Sequence, residues 1–318
     1  MRARSTRTVL IVSAGLATAI VAAAAILLTR GGSADAAPVS ALGEGTAMGA
    51  VELASSDPEA LAEFYTAGVG LEVLAEEEAA VSLGVGGAEL LRIVTSDAPA
   101  DDPAEAGLYH SAFLFPDESS LAEAILRTAQ AYPSSFDGSA DHTVSQAFYF
   151  ADPDGNGVEL YVDRPAESWL WTEGEVTMGS YALDPNAFIS EHLDAEAGIT
   201  VPDGVVMGHV HLRGGSLEEA EAFYEDALGM AVTARATGAL FFSADGYHHH
   251  LAVNVWSSEG AGARPESQGL SVVTVTVAGA DELDALEQRL TDSGVAYVRE
   301  DQAVRTEDPW GTRIVVTA

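Results

Sequence analysis

Eight histidines and no cysteine decide what chemistry this chain can do. The histidines are His110, His142, His192, His209, His211, His248, His249 and His250. The lack of thiols excludes disulfides, thiolate metal sites and cysteine nucleophiles. Imidazole and carboxylate remain. Together they suit a metal ion held by nitrogen and oxygen, or proton transfer near neutral pH. Glu159 sits within Val-Glu-Leu-Tyr-Val. Strand alternation there can equally point a carboxylate to solvent.

The elements that would position these groups come from a 318-residue chain, long enough for two domains of about 150 residues each. Hydrophobic residues make up 47% and charged residues 20%, which fits a chain with a real core and argues against disorder. Acidic residues number 49 against 14 basic ones, all arginine, for a net charge of -35. Such a surface repels phosphate backbones and anionic lipid, so nucleic-acid binding is excluded as the main function. Residues 1–40 form a separate leader, read as a signal peptide or membrane anchor. Arg2, Arg4 and Arg7 precede an uncharged run at 9–28, long enough for one hydrophobic helix to cross a bilayer. Ala34-Asp35-Ala36 then offers a signal-peptidase site. The rest of the chain is expected outside the cytoplasm, anchored at the cell membrane by a single pass or secreted after cleavage behind Ala36.

Beyond the leader the chain repeats. Gly49 opens a segment with Phe64-Tyr65 and Gly70, and Gly208 opens one with Phe223-Tyr224 and Gly229. The constant offset marks an internal repeat. Each copy reads as a strand and then a helix. Ser216 caps the second helix and Glu219 can close a capping box. Leu217, Ala220, Tyr224 and Leu228 give that helix one buried face. A second pair begins at Gly107-Leu-Tyr-His110 and Gly269-Leu-Ser-Val272. Its copies run through helices around Leu121 and Leu283 to turns at Asp152-Pro-Asp-Gly-Asn-Gly and Asp308-Pro-Trp-Gly, each before a last strand. The reading is four strand–helix–strands modules. Modules 1 and 2 fill residues 46–165, modules 3 and 4 fill 206–318, and a polar linker spans 166–205.

Four βαβββ modules of this kind resemble the vicinal oxygen chelate superfamily, which holds glyoxalases, bleomycin resistance proteins and extradiol dioxygenases. More closely, the chain looks like its bacterial catechol-2,3-dioxygenase-like branch. The stretches that carry the likeness are Gly107-Leu-Tyr-His110, Asp141-His142-Thr-Val-Ser, Asp152 to Arg164-Pro165, Gly208-His209-Val-His211 and Gly246-Tyr-His248-His249-His250. The resemblance covers residues 46–318. It implies an α+β fold of two vicinal-oxygen-chelate domains, the leader helix standing in front.

Seven of the eight histidines lie in modules 2 and 3, and modules 1 and 4 have none. Module 1 has Ala50 where module 3 has His209. Module 4 has Val272 where module 2 has His110, and Val315 where module 2 has Glu159. One metal site therefore survives, shared by modules 2 and 3, one from each half of the chain. Family ring cleavers instead build their site from the two C-terminal modules, so this chain requires a different pairing. The resemblance implies His110, Glu159 and His209 as ligands of Fe(II), with Mn(II) as the alternative. It also implies His142, Tyr149 and His249 as catalytic groups, and an aromatic diol with O2 as substrates. His211 is read as lying beside the ligands or at the surface, His248 to His250 as an active-site His249 or a solvated turn, and His192 as surface. Self-association is left open. The expected activity is ring cleavage of a catechol-like diol. A glyoxalase-type lyase usually takes a fourth ligand from the other module's last strand, which here reads Leu251-Ala-Val-Asn-Val-Trp256 without a carboxylate. A non-catalytic protein that sequesters an aromatic compound is the third reading.

Overall fold

The computed structural model describes residues 36–194 and 203–318. The leader helix expected within residues 1–40 falls almost wholly outside them. Among the described residues no helix is long and apolar enough to cross a membrane.

Each module contributes four strands. Module 1 supplies β1 (Ala47–Ser55), β2 (Glu72–Glu77), β3 (Ala80–Val85) and β4 (Ala88–Thr95). Module 2 supplies β5 (Gly107–Leu114), β6 (Phe136–Asp141), β7 (Ser145–Ala151) and β8 (Gly157–Asp163). Module 3 supplies β9 (Val206–Arg213), β10 (Ala231–Ala236), β11 (Ala239–Ser243) and β12 (Leu251–Asn254). Module 4 supplies β13 (Gly269–Thr276), β14 (Tyr297–Glu300), β15 (Ala303–Glu307) and β16 (Arg313–Thr317). The sheets do not follow the two halves of the chain. One runs β14-β15-β16-β13-β1-β4-β3-β2 and joins modules 4 and 1. The other runs β6-β7-β8-β5-β9-β12-β11-β10 and joins modules 2 and 3, with Tyr181–Ala182 added at its β6 edge. Each module's first strand lies parallel to its own last strand, as β5 does to β8 and β9 to β12. Across modules the first strands run antiparallel, β5 with β9 and β1 with β13.

The helix of modules 1 and 3 changes pitch at the repeated aromatic pair. Helix α1 (Pro58–Glu63) is capped by the Asp57 side chain and continues as a π-helix over Phe64–Val69. In module 3, Leu217–Glu221 is capped by Ser216 accepting from the Glu219 amide, and it continues as a π-helix over Ala222–Ala227. The wider turn carries both aromatics inward: Phe64, Tyr65, Phe223 and Tyr224 are all buried. Gly70 and Gly229 end these helices in the left-handed region, at φ +99° and +94°. A Cβ at Gly70 would also fall 2.3 Å from Arg127 Nη2, and one at Gly229 would fall 2.6 Å from Arg289 Nε. Those arginines sit on the helices of modules 2 and 4, α2 (Glu118–Ala131) and α3 (Ala280–Asp292). They donate to carbonyls that the preceding helix leaves over: Arg127 to Gly68 and Val69, Arg289 to Leu228.

The repeated tyrosine closes each half. Tyr65 donates to Asp152 Oδ2 at 3.0 Å, and Tyr224 donates to Asp308 Oδ2 at 2.9 Å. Sheets thus tie modules 1 to 4 and 2 to 3, while these bonds tie 1 to 2 and 3 to 4. Burial pushes the Asp152 carboxyl up to about 6, against its bonds from Asn156 and Tyr65. Its folded value lies above its unfolded one, so its contribution to stability is full below about pH 4 and is lost as pH rises through about 6. Tyr65→Phe removes a donor from a buried carboxylate. It is expected to cost about 1–3 kcal/mol at neutral pH, read as a lower denaturant midpoint with an unchanged slope.

Candidate metal centre

The second sheet curls around one row of side chains. In register across four strands, Tyr149 of β7 faces Glu159 of β8, Glu159 faces Ala112 of β5, and Ala112 faces His209 of β9. Residues in register share a face, so all four point the same way. Ala112 is fully buried and has only a methyl group. Glu159 and His209 can therefore lean together above it. His110 stands two residues before Ala112 on β5, on the same face, and completes the group.

Two β-bulges bracket this row. Between Met207 and His209 the pairing skips Gly208, and between His110 and Leu108 it skips Tyr109. A bulge adds one residue on one strand and re-aims its neighbours. Gly208 is required by a close approach, since a Cβ there would lie 1.8 Å from Tyr161 Oη. The Tyr109 bulge puts its ring on the same side as its neighbour, 5.3 Å from the His110 ring.

The donor atoms converge. Glu159 Oε2 lies 2.9 Å from His110 Nε2 and 3.1 Å from His209 Nε2, and the two nitrogens are 3.3 Å apart. Bonds of about 2.1 Å from one ion at roughly right angles place ligand atoms about 3.0 Å apart, so the spacing fits one ion with all three donors on one face. All three residues are buried, and among the described residues they form a group of potential ligands within mutual reach of a metal. Burial disfavours the Glu159 carboxylate, but His209 and His110 outweigh it and hold the group well below the usual carboxylate range. Burial lowers His209, partly offset by Glu159. An ionised carboxylate beside a neutral imidazole is the protonation state that ligands require.

Around this centre sit the expected catalytic groups. His142 Nδ1 donates to the Gly179 carbonyl at 2.7 Å, so in a neutral ring Nε2 accepts from Tyr149 Oη, also at 2.7 Å. Burial, and then the Glu159 charge, push the Tyr149 phenol well above its ordinary value. His249 packs against His209 with the rings tilted and their centroids 4.1 Å apart. The triple histidine is buried and is not a solvated turn. It is pulled inward by a network that sequence reading missed. His248 Nε2 donates to Asp163 Oδ1 at 2.9 Å, leaving its Nδ1 to accept from His249 Nδ1 at 2.8 Å. His249 Nε2 is then the unprotonated nitrogen. Tyr247 donates to Asp163 Oδ2 at 2.8 Å and meets Tyr161 Oη at 2.7 Å. His250 bonds Ser243 at 2.9 Å, and burial lowers it to about 4. His192 lies apart, on the linker helix Pro185–His192 against Phe188.

His211 is buried rather than at the surface, with its ring 4.9 Å from that of His110. Its Nε2 accepts from Asn254 Nδ2 at 3.1 Å, so it shares the ligands' face but that nitrogen is engaged by β12. His211→Ala is expected to keep its metal after desalting, within about twofold of the parent, whereas loss of the metal would show that His211 is a ligand.

The linker also surprised. Its first part crosses the open face of the sheet as a small hairpin of Trp171–Thr172 and Glu175–Val176. Trp169 and Val176 pack there with Val144 and Ala234, against Phe241 and Tyr247. Glu175 reaches Arg235 of β10 at 3.5 Å, and the Gly179 carbonyl holds His142. The segment read as a polar connector is thus one wall of the site. Its aromatics at 169 and 171 were the available signal.

Comparison with known proteins agrees with this architecture. The profile of the Glyoxalase/Bleomycin resistance protein/Dioxygenase superfamily matches residues 47–160 and 206–316. The chain is 34% identical over 273 residues to "Catechol-2,3-dioxygenase" of Bacillus subtilis (strain 168), covering 84% of this chain and 95% of that protein. Among solved structures, a putative dioxygenase from Bacillus subtilis aligns with a TM-score of 0.58 at 11% identity, over 85% of this chain and 84% of that one. Glyoxalase I from Zea mays aligns with a TM-score of 0.52 at 16% identity, over 86% of this chain and 92% of that one. These two share the fold. The module repeat, the paired sheets and the profile match lead to one conclusion: the chain belongs to the glyoxalase/bleomycin resistance protein/dioxygenase superfamily.

Proposed function

We propose that this protein is an extradiol dioxygenase that opens the ring of a catechol-like diol with O2, using Fe(II), or Mn(II) in its place, held by His110, His209 and Glu159. The observation that carries the reading is the set of three donors within 3.3 Å of one another, with no second carboxylate in the group among the described residues. A facial pair of histidines and one carboxylate, with open positions, is the pattern of non-haem Fe(II) oxygenases. The likeness to a catechol-2,3-dioxygenase supports it. Against the glyoxalase-type reading, β12 carries no carboxylate, and the amide of its Asn254 is already engaged by His211 and the Trp256 amide.

When bound, the ion would draw diol and oxygen to adjacent positions and let electrons pass between them. The chain's own groups manage protons and water. A diol proton that reaches Tyr149 Oη is matched by the Tyr149 proton moving to His142 Nε2, 2.7 Å away. No charge then stays on a phenol whose ionisation burial opposes. His142 is held for this by the Gly179 carbonyl of the linker. His249, fixed through His248 and Asp163, presents an acceptor nitrogen beside His209. The apolar cover of Trp169, Val144 and Val176 limits water at the site. The leader motif supports work outside the cytoplasm, which fractionation of cells producing the full-length chain would check.

The test is oxygen uptake by full-length protein loaded with Fe(II) under anaerobic conditions. A catechol panel is run beside a methylglyoxal–thiol assay. Oxygen consumption with a yellow ring-opened product is expected. Activity in the thiol assay alone would move the protein to the lyases. Silence in both, with tight aromatic binding, would favour sequestration.

A further inference from the structure

Two large aromatics stand half exposed beside the metal centre, and the reaction as described does not use them. Tyr109 is 42% exposed and Trp256 is 45% exposed. Their rings meet edge to face, with centroids 5.3 Å apart. Both rest on His211, at 4.8 Å and 5.5 Å, and Phe241 closes the same corner at 5.9 Å from it. Tyr109 also touches the His110 ring. An aromatic surface therefore runs without a break from a ligand histidine outwards to solvent.

This surface is built. The bulge at Tyr109 turns its ring to this face. Module 4 has Ser271 at the equivalent bulge, and its hydroxyl bonds Glu52. The Trp256 indole donates to the Thr237 carbonyl at 2.9 Å, and its backbone amide donates to Asn254 Oδ1 at 3.2 Å. Asn254 Nδ2 donates to His211 Nε2, so one amide fixes both the tryptophan and the histidine beneath it. Gly238, at φ +76°, leaves the room for the indole, since a Cβ there would lie 2.9 Å from Trp256 Cδ1. An indole anchored at two points and left open to water offers a rigid flat surface that loses little entropy on binding.

The charges nearby choose the ligand's sign. Asp137 lies near enough to act on the Tyr109 hydroxyl. Arg213, a cation that also acts on it, is committed to Asp101 and to the carbonyls of Glu105 and Leu108. A carboxylate arriving at this rim would meet the Asp137 charge, while Arg213 is already engaged.

Resting on the proposed ring-cleaving function, we propose that Tyr109, His211 and Trp256 form a specificity subsite that receives a neutral, flat aryl substituent of the diol, outside the part held at the metal. The substrates favoured are then extended, uncharged aromatic diols, not small carboxylated ones.

The test is anaerobic calorimetric titration of Fe(II)-loaded full-length protein with catechol, 3- and 4-phenylcatechol, and 3,4-dihydroxybenzoate. Without oxygen no turnover occurs, so the readout is binding. The better phenylcatechol is expected to bind about tenfold tighter than catechol, and the carboxylated diol more weakly than catechol. In Trp256→Ala the preference for phenylcatechol over catechol should fall about tenfold at unchanged metal content, and Trp256→Phe should restore most of it. Equal binding of catechol and phenylcatechol by the parent would overturn the subsite alone. So would an unchanged ratio in Trp256→Ala. Failure of all four diols to bind would overturn the ring-cleaving reading and the subsite with it.

Discussion

Glu159→Ala is expected to leave the protein without its metal. Glu159 supplies the only negative charge among the three converging donors, and its oxygen touches both histidine nitrogens. Without it, two buried imidazoles remain, too few to hold a divalent ion against water. Loss of even an outer hydrogen-bond partner lowers metal affinity by about 10–100-fold, so removal of a ligand should exceed that. After anaerobic loading and desalting, the parent should hold one metal per chain and Glu159→Ala less than about a tenth of one. His110→Ala and His209→Ala should behave alike. Glu159→Gln separates charge from shape: it keeps the size and should still lose most of the metal. Two tightly held metals in the parent would contradict the single centre, because modules 1 and 4 carry Ala50, Val272 and Val315 where the ligands would stand.

His142→Ala is expected to show the opposite pattern, with metal retained and turnover lost. Its ring contacts Tyr149 and the Gly179 carbonyl and none of the three ligands. Loss of a positioned proton acceptor typically costs about 10²–10⁴-fold in rate. The fall should appear in kcat, with metal content at the parent's level. Added imidazole should restore part of the rate if the loss is one of proton transfer. Tyr149→Phe should lose turnover too, because it removes the hydroxyl that links diol and His142. Loss of metal in His142→Ala would instead mean that the ring holds the sheet edge in place.

Much of this was legible in the sequence because the repeat compares the chain with itself. His110, His209 and Glu159 stand out only against Val272, Ala50 and Val315. The last strands expected after the two Asp-Pro turns are β8 and β16. The Phe-Tyr pair and the Asp-Pro turns were visible as motifs. Their joint meaning, Tyr65 on Asp152 and Tyr224 on Asp308, was not, because the partners are far apart in sequence.

What stayed hidden is non-local. Alternation marks a strand but does not name its neighbour. The joining of modules 1 with 4 and 2 with 3 could be inferred only from the need to bring His110 to His209. Bulges leave no periodic trace, and strand alternation alone would turn Tyr109 away from His110. The triple histidine looked hydrophilic, and it is buried only because Asp163, Tyr247 and Ser243 satisfy its nitrogens. The linker's composition spoke for solvent, yet Trp169 and Val176 place it over the site.

The most direct measurement is the fate of labelled oxygen. Full-length Fe(II)-loaded protein is given catechol under ¹⁸O₂, and the product is weighed at once by mass spectrometry. The account predicts a ring-opened product that carries both atoms of one O2, apart from exchange of the aldehyde oxygen with water, and that fails to form in His209→Ala. An intact ring, with oxygen released as peroxide or not consumed at all, would contradict it.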